Sequence, residues 1–227
     1  MVEVGPGPGG LTRALLDTAA AGVLAVEVDG RAVAALAELE AAYPGRLRVL
    51  AEDALRLDLL PLVPAPRQLV ANLPYNVATP LLIGWLRQAQ AWERMTLMFQ
   101  QEVAERIAAA PDTPAYGRLS VLAQWTCRTA LLMRLPPAAF APPPKVWSAV
   151  VGLVPHPAQP PPVLFAAMER VTAAAFGQRR KMLRGSLRAL GGEALLARAG
   201  IAAERRAETL EVAEFDRLAR LVCAEAA

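Results

Sequence analysis

Two short motifs in the first third of the chain carry the side chains best suited to chemistry. The first, Glu3-Val4-Gly5-Pro6-Gly7-Pro8-Gly9-Gly10, is rich in glycine, so its backbone can turn sharply and approach a ligand closely. The second, Asn72-Leu73-Pro74-Tyr75, combines an amide oxygen that can accept a hydrogen bond from an exocyclic amine with a flat aromatic ring. Pro74 also restricts the residue before it to an extended conformation. These properties predict a ligand site, although either motif alone could be a plain turn.

Acidic residues come between the two motifs, directly after short apolar runs. Glu27, followed by Asp29, ends the run that starts at Val23, and its carboxylate could hold the hydroxyls of a ribose. Asp53 follows the next run, within Glu52-Asp53-Ala54, and could accept a hydrogen bond from an adenine amino group. Aspartate in such a turn often only caps a helix, so the case for Asp53 depends on its place in this series.

The prolines of the glycine-rich motif bear on the identity of its ligand. Gly5, Gly7 and Gly10 satisfy the G-x-G-x-x-G pattern of dinucleotide-binding loops, with an acidic residue about 20 positions further on. An NAD-dependent oxidoreductase is therefore one alternative. Pro6 and Pro8 have no backbone N–H to offer a pyrophosphate, whereas S-adenosyl-L-methionine carries no phosphate and needs no such donors. The prolines therefore favour a nucleoside ligand without phosphates, such as S-adenosyl-L-methionine, over a dinucleotide.

The elements that would position these residues alternate between short apolar runs and segments of helical period. This alternation is typical of βαβ units wound into a mostly parallel sheet, an α/β fold. Ligands bind to such sheets at the carboxyl ends of the strands, where the motifs and the acids would meet. The strands are predicted at Met1–Val4, Val23–Val28, Leu47–Ala51, Gln68–Ala71 and Met95–Phe99, with Ala130–Leu135 and Val146–Val154 as a hairpin-like edge.

A proline-rich segment divides the chain. Five prolines among residues 155–162 exclude helix and indicate a linker, so we predict one domain at 1–155 and a small all-helical domain at 163–227. Residues 1–155 hold 13 basic and 13 acidic side chains, whereas residues 156–227 hold 11 basic and 8 acidic ones, so the net charge of +3 belongs to the second domain. Its helices are predicted at 163–176, 179–190, 193–199 and 211–225.

Basic residues concentrate in the segment 176–190, which contains no acid. At helical spacing Arg180, Arg184 and Arg188 share one face, which could contact phosphates or simply be solvated. The two cysteines, Cys127 and Cys223, have neither a disulfide nor a metal-ligand spacing, and no metal site is expected. Since neither a long apolar stretch nor a secretion signal is present, we expect a soluble, cytoplasmic protein.

Taken together, these motifs resemble the ribosomal RNA adenine N6-dimethyltransferases, a family of S-adenosylmethionine-dependent enzymes of the Rossmann class. The resemblance implies a Rossmann-like methyltransferase domain at 1–155 and a helical domain at 163–227 that contacts RNA. The motifs that carry it, in family order, are Val2-Glu3-Val4-Gly5-Pro6-Gly7, Val26-Glu27-Val28-Asp29, Glu52-Asp53-Ala54, Asn72-Leu73-Pro74-Tyr75-Asn76, Gln101-Glu102-Val103-Ala104 with Arg106, Tyr116-Gly117-Arg118-Leu119-Ser120, Phe140-Ala141-Pro142-Pro143-Pro144-Lys145-Val146, Ser148-Ala149-Val150-Val151 and Phe176-Gly177-Gln178-Arg179-Arg180-Lys181.

The resemblance also implies a reaction, the dimethylation of two adjacent adenosines in a hairpin loop near the 3′ end of small-subunit (16S) ribosomal RNA, during biogenesis of that subunit. By the resemblance, Gly5 and Gly7 pass close to the methionine part of S-adenosyl-L-methionine, Glu27 holds the ribose and Asp53 contacts the adenine. Asn72 would touch both the cofactor and the target base. The partner is then the immature small ribosomal subunit, bound by a monomer and away from any membrane.

The same resemblance assigns roles around the target adenosine. The side-chain carbonyl of Asn72 and the backbone carbonyl of Leu73, aimed by Pro74, would accept hydrogen bonds from the N6 amino group and direct its lone pair at the methyl group. Tyr75 is the first candidate to stack on the target base and Phe140 the second. The remaining candidates to contact RNA are Arg118, Arg179, Arg180, Lys181, Arg184 and Arg188.

Three further expectations follow from the resemblance. Family members normally carry an additional N-terminal segment with a Gln-Asn-Phe-Leu motif before the strand that begins here at Met1, so we expect weak binding of S-adenosyl-L-methionine by this chain. A non-catalytic RNA-binding or transcription-accessory protein of the same fold is an alternative, which the tetrapeptide at Asn72 disfavours. Antibiotic-resistance methyltransferases act on large-subunit RNA, and the segments at Phe140 and Gln178 favour the small-subunit enzymes instead.

Overall fold

The computed structural model describes residues 1–178 and 180–225. Arg179, one of the predicted RNA contacts, lies outside these residues. The strands within these residues form one mixed sheet. Its strands are β1 (Val2–Val4), β2 (Val23–Glu27), β3 (Leu47–Ala51), β4 (Gln68–Asn72), β5 (Arg94–Gln100), β6 (Cys127–Leu135) and β7 (Ser148–Pro155).

The order of the strands brings the predicted motifs to one edge of the sheet. In the described part of the chain the sheet has seven strands in the order β3-β2-β1-β4-β5-β7-β6. β1 to β5 are parallel, and β7 pairs antiparallel with β5. The carboxyl ends of β1 to β5 and the amino end of β7 therefore share an edge, which we name the carboxyl edge. The predicted Rossmann-like α/β fold is confirmed, as is the edge formed by β6 and β7.

Helices connect the strands of the sheet along the chain, and further helices follow after β7. Between β1 and β3, Leu15 and Leu16 of the first helix and Leu36 and Leu39 of the second pack with Val23 and neighbouring strand residues into a buried core. The helices are α1 (Gly10–Leu16), α2 (Gly30–Ala42), α3 (Ala78–Leu86), α4 (Gln101–Ile107), α5 (Arg118–Thr126), α6 (Pro162–Gly177), α7 (Leu183–Ser186), α8 (Gly192–Ala199) and α9 (Val212–Ala224).

Two compact units can be distinguished within the residues that the structure describes. One consists of residues 1–104 and 130–155, and the other of residues 105–129 together with the chain from His156 onward. The division at Pro155 falls where the linker is predicted. The inclusion of residues 105–129 in the second unit was not predicted, because it depends on distant partners: α5 packs against α6 and α9, and the Tyr116 hydroxyl donates to the Leu210 carbonyl at 3.0 Å.

The predicted helix 179–190 is wrong. Residues 183–186 form the short helix α7 and residues 188–190 form a single 3-10 turn, with Met182 in an extended conformation before them. The backbone N–H groups of Leu183 and Arg184 donate to the carbonyls of Arg205 and Ala203, at 2.8 and 3.0 Å, so tertiary bonds replace helical ones. The ladder of basic side chains on one helix face is therefore absent from the described residues 180–190.

Two kinds of feature are absent from the described residues. None of their helices combines the length and the apolar character that crossing a bilayer requires. Residues 1–178 and 180–225 also contain no group of three or more histidine, cysteine, aspartate or glutamate side chains that could hold a metal ion.

Candidate active site at the carboxyl edge of the sheet

The glycine-rich loop after β1 and the tetrapeptide after β4 are in direct contact. Gly5 has a left-handed backbone with φ of +71°, and its N–H donates to the Val26 carbonyl at 3.0 Å. A Cβ atom on Gly5 would lie 3.4 Å from Cδ of Pro74 and 3.6 Å from the carbonyl oxygen of Asn72. Glycine suits this position because of both its backbone angle and this close approach. The structure thus brings the two predicted motifs together.

Glu27, the last residue of β2, anchors the glycine-rich loop. One carboxylate oxygen accepts the Gly7 N–H at 3.0 Å, and the other accepts the N–H groups of Val28 and Asp29 at 2.8 and 2.9 Å. Gly7 is also left-handed, with φ of +53°, and open space lies where its side chain would be. The oxygen bound only by Gly7 keeps a lone pair for a hydroxyl group. Its predicted contact with a ribose stays a prediction, and the geometry fits it.

The two aspartates near this edge differ in how far their carboxylates are engaged. Asp29 caps α2 by accepting the Arg31 N–H at 2.9 Å, and the Arg31 guanidinium, 2.8 Å away, lowers the pKa of Asp29 to about 2. Asp53 accepts the Leu55 N–H at 2.9 Å through one oxygen, while its other oxygen is 3.7 Å from the Arg56 guanidinium. Asp53 therefore caps a turn and, with 43% of its side chain exposed, can also meet a ligand.

The tetrapeptide presents its amide to solvent and buries the residue behind it. Asn72 ends β4 and is exposed, and no hydrogen bond engages its side-chain amide within residues 1–178 and 180–225. Leu73 is only 2% exposed and fixes the tetrapeptide to the core. The Pro74 carbonyl accepts the N–H groups of Val77 and Ala78 at 3.2 and 3.1 Å, which starts α3 directly behind the amide. Asn72 is thus free to bind on a rigid support.

Tyr75 is oriented by a residue with no predicted role. Its hydroxyl lies 3.0 Å from Oγ of Ser148, the fully buried first residue of β7, and 39% of the tyrosine remains exposed. Ser148 pairs with Gln100 at the end of β5, so the bond links the tetrapeptide at the end of β4 to β7, on the other side of β5. A polar residue that opens an otherwise apolar strand is the sequence signal that could have identified Ser148.

The remaining predicted RNA contacts belong to other segments of the chain. Phe140 is half-buried in the connection between β6 and β7, where its N–H donates to the Pro137 carbonyl. Arg118 begins α5 in the second unit and lies 3.3 Å from Glu169 of α6. The other predicted contacts within the described residues, all of them exposed, are Arg180, Lys181, Arg184 and Arg188.

A buried acid lies two residues before the glycine-rich loop. Glu3, in the middle of β1, is 1% exposed, and neither its carboxylate nor the Thr12 hydroxyl has a hydrogen-bond partner of normal geometry among the described residues. Burial raises the pKa of Glu3 to about 7, and the charge of Glu27 adds to this effect while Thr12 opposes it. Glu3 therefore holds a proton to higher pH than an exposed glutamate does.

A cavity of about 890 Å³ lies at the opposite edge of the sheet. It is lined by the amino ends of strands, including Met1, Val23, Leu47 and Gln68. None of the predicted cofactor-binding or catalytic residues borders it. The predicted cofactor-binding and catalytic residues therefore lie away from this cavity, and their chemistry belongs to the carboxyl edge.

A sequence model of the family described as "Ribosomal RNA adenine dimethylase" matches residues 1–223. The chain belongs to the ribosomal RNA adenine dimethylase family. A protein of Gluconobacter oxydans (strain 621H) named "Ribosomal RNA small subunit methyltransferase A" is 66% identical over 221 residues, which cover 97% of this chain and 73% of that protein. Its namesake from Rhodospirillum rubrum is 57% identical over 223 residues, or 98% of this chain and 77% of that protein.

Solved structures agree with membership of the dimethylase family at the level of the fold. A dimethyladenosine transferase from Plasmodium falciparum superposes with a TM-score of 0.78 at 23% identity, over 96% of this chain and 87% of that one. The 23S rRNA methyltransferase ErmE superposes with a TM-score of 0.69 at 24% identity, over 96% and 88%. The predicted resemblance and the S-adenosylmethionine cofactor are confirmed, and neither the oxidoreductase nor the non-catalytic alternative is supported.

Proposed function

We propose that this chain transfers methyl groups from S-adenosyl-L-methionine to N6 of two adjacent adenosines, in a hairpin loop near the 3′ end of small-subunit ribosomal RNA. The observation that carries the proposal is the close approach of Gly5 to the Asn72 carbonyl and the Pro74 ring, because it brings the glycine-rich loop next to a residue with an exposed amide. Its support from relatives is the 66% identity to a small-subunit methyltransferase A. The enzyme would act as a cytoplasmic monomer on the immature small subunit.

The residues at the carboxyl edge fit the cofactor. Glu27 offers a carboxylate oxygen with one backbone partner, Asp53 offers an exposed oxygen, and the space beside Gly7 is open. Glu27 would hold the ribose hydroxyls, Asp53 the adenine, and the loop at Gly5 and Gly7 the methionine part. When bound, S-adenosyl-L-methionine supplies a methyl group on a positively charged sulfur, which a nitrogen lone pair can attack.

Asn72 and Leu73 would prepare the target nitrogen. Adenine N6 is a weak nucleophile because its lone pair is delocalised into the ring. The Asn72 side-chain oxygen and the Leu73 carbonyl can each accept an N6 hydrogen, which favours a pyramidal nitrogen whose lone pair points away from both acceptors. As N6 bonds to the methyl group, the bond from that methyl to sulfur would break, leaving a neutral thioether, and the N6 proton would be lost to solvent afterwards. The residues would contribute orientation and electrostatic positioning, with no strong general base required.

Tyr75 would hold the adenine once it leaves the base stack. Extruding a base costs a few kcal/mol, and stacking on an aromatic ring returns about 1–3 kcal/mol. The bond between the Tyr75 hydroxyl and Ser148 fixes the ring, so little side-chain freedom is lost on binding. Phe140 and the exposed cations Arg118, Arg180, Lys181, Arg184 and Arg188 would complete the RNA contacts.

Methyl transfer to defined RNA substrates tests this function. The chain is incubated with radiolabelled S-adenosyl-L-methionine and, in separate arms, with unmethylated small subunits or large-subunit RNA. We expect label only in small-subunit RNA, recovered as N6,N6-dimethyladenosine from two neighbouring positions. Calorimetric titration with S-adenosyl-L-methionine and with NAD runs in parallel. Label confined to large-subunit RNA, or binding of NAD alone, would refute the proposal.

A further inference from the structure

Trp147 lies exposed at the carboxyl edge, directly beside the residue that orients Tyr75. It precedes Ser148, and 48% of its surface is accessible. Its carbonyl oxygen accepts the Gln101 N–H at 2.9 Å, at the point where β5 passes into α4. The Trp147 backbone is therefore held on one side by this bond and on the other by the buried Ser148.

The exposure of Trp147 contrasts with that of two other tryptophans in the first unit. Trp85 and Trp92 are 7% and 4% exposed and belong to the core. The neighbour Val146 is also exposed, at 43%, so two successive apolar side chains are accessible just before Ser148. A flat ring on a fixed backbone is what unstacked bases bind, because every base offers a π-face and the ring loses little freedom.

The strand register shows which base Trp147 can reach. Asn72 lies opposite Met98 of β5, and Met98 lies opposite Val150 of β7. β4 and β7 are thus two strand spacings apart, about 10 Å. The target adenine must bring N6 to Asn72 at the end of β4, whereas Trp147 lies at the β7 side of Tyr75. Trp147 also lies three residues before Val150, further still from Asn72, so the base that meets Trp147 is not the target itself.

We propose that Trp147 stacks on the nucleotide next to the target adenosine and holds it while methyl groups are transferred. This inference rests on the proposed function and adds a substrate-binding residue to it. Where two adjacent adenosines are modified, the neighbour of each target is the other adenosine. Trp147 would then keep one adenine bound while its neighbour occupies the site at Asn72.

The proposal is tested with Trp147→Leu, which keeps an apolar side chain without a flat ring, and Trp147→Phe, which keeps a ring. The probe is a synthetic RNA hairpin with two adjacent loop adenosines, and a second version carries 2-aminopurine at one of the two positions. We expect Trp147→Leu to raise the KM for the RNA roughly 5- to 150-fold, with a smaller change in kcat. Trp147→Phe should keep the KM close to that of the unsubstituted chain.

Fluorescence of the 2-aminopurine hairpin separates stacking from a structural effect. The unsubstituted chain and Trp147→Phe should quench the probe, and Trp147→Leu should not. Val163→Ala, which removes an apolar group of 66% exposure from α6, is the matched control and should change neither readout. Equal thermal unfolding midpoints verify that each variant folds.

The outcomes distinguish this inference from the function on which it rests. If Trp147→Leu matches the unsubstituted chain in both KM and quenching, Trp147 holds no base and the inference is wrong. If the unsubstituted chain quenches the probe through Trp147 but transfers no methyl group to either RNA, the stacking stands and the proposed function fails.

Discussion

The carboxyl edge of the sheet and the basic residues after α6 would both contact RNA, but they are built in opposite ways. At the edge, strand register and backbone hydrogen bonds fix each group: Gly5 lies against Pro74, and Glu27 binds three N–H groups. The basic residues Arg180, Lys181, Arg184 and Arg188, which we name the basic segment, are exposed on a short helix and a turn. A single substitution at the edge should therefore have a large and specific effect on activity. A single substitution in the basic segment should have a small effect on RNA binding that depends on salt.

The largest expected effect is that of Asn72→Ala. Removing one positioned hydrogen-bonding group from a reaction centre typically lowers kcat about 100- to 1,000-fold. Since Asn72 is exposed, the free energy of unfolding should be unchanged. Methyl transfer is measured with saturating RNA and cofactor. Gln90→Ala, which removes an exposed amide from a turn elsewhere in the first unit, serves as the control. A normal rate for Asn72→Ala would contradict the assigned role.

Glu3→Gln should make stability less dependent on pH. Because the pKa of Glu3 is about 7 in the folded chain and near 4.5 when unfolded, the folded state retains a proton that the unfolded state releases between these values. Stability contributed by this group falls as pH rises through that window, by about 3 kcal/mol in total. Urea unfolding at about pH 5 and about pH 8 measures the difference, and Glu38→Gln, on an exposed position of α2, is the control. If Glu3→Gln and Glu38→Gln show the same dependence of stability on pH, the raised pKa of Glu3 is contradicted.

Glu27→Gln should affect stability and cofactor binding together. A glutamine side chain cannot accept hydrogen bonds at both ends, so at least one of the three backbone N–H groups loses its partner, at a cost of about 1–3 kcal/mol. The affinity for S-adenosyl-L-methionine should fall about tenfold or more. Urea unfolding and calorimetric titration measure the two effects. A change in affinity with unaltered stability would show that Glu27 does not anchor the loop.

The smallest effects should come from single changes in the basic segment. Arg180→Gln or Arg188→Gln should weaken RNA binding a few-fold and lower the slope of log affinity against log salt by about 0.7–0.9. Arg184→Gln should do less, since Arg184 already lies 3.9 Å from Glu193. Filter binding over a range of salt concentrations gives the slopes. Arg94→Gln, an exposed cation at the start of β5, is the control, and an unchanged slope for Arg180 and Arg188 would exclude them from the interface.

Much of the edge could be predicted because its signals are local. Short apolar runs fixed the strands to within a few residues, and the general rule that ligands bind at carboxyl ends placed Glu27, Asp53 and Asn72 together. What local patterns could not show are bonds between distant segments. The contact of Tyr75 with Ser148 depends on β7 pairing with β5, and nothing near Tyr75 indicates it.

The second unit was less predictable for the same physical reason. Residues 183–190 have a helical pattern, yet the carbonyls of Ala203 and Arg205 take the N–H groups that a continuous helix would use. Residues 105–129 likewise join the second unit through contacts with α6 and α9. Where tertiary bonds compete with local ones, the hydrophobic period alone misplaces the element.

The position of Ser148 has a consequence for the order in which the site is completed during synthesis. The predicted cofactor residues are all synthesised before residue 100: Gly5, Glu27, Asp53 and Asn72. Ser148, the partner of the Tyr75 hydroxyl, is synthesised almost fifty residues after that point. β7 must also insert between β5 and β6, which is made before it. A nascent chain that ends before residue 148 thus carries every predicted cofactor residue and still lacks the anchor of Tyr75, the ring that we propose stacks on the target base. Binding of cofactor and capture of RNA should therefore be acquired at different chain lengths.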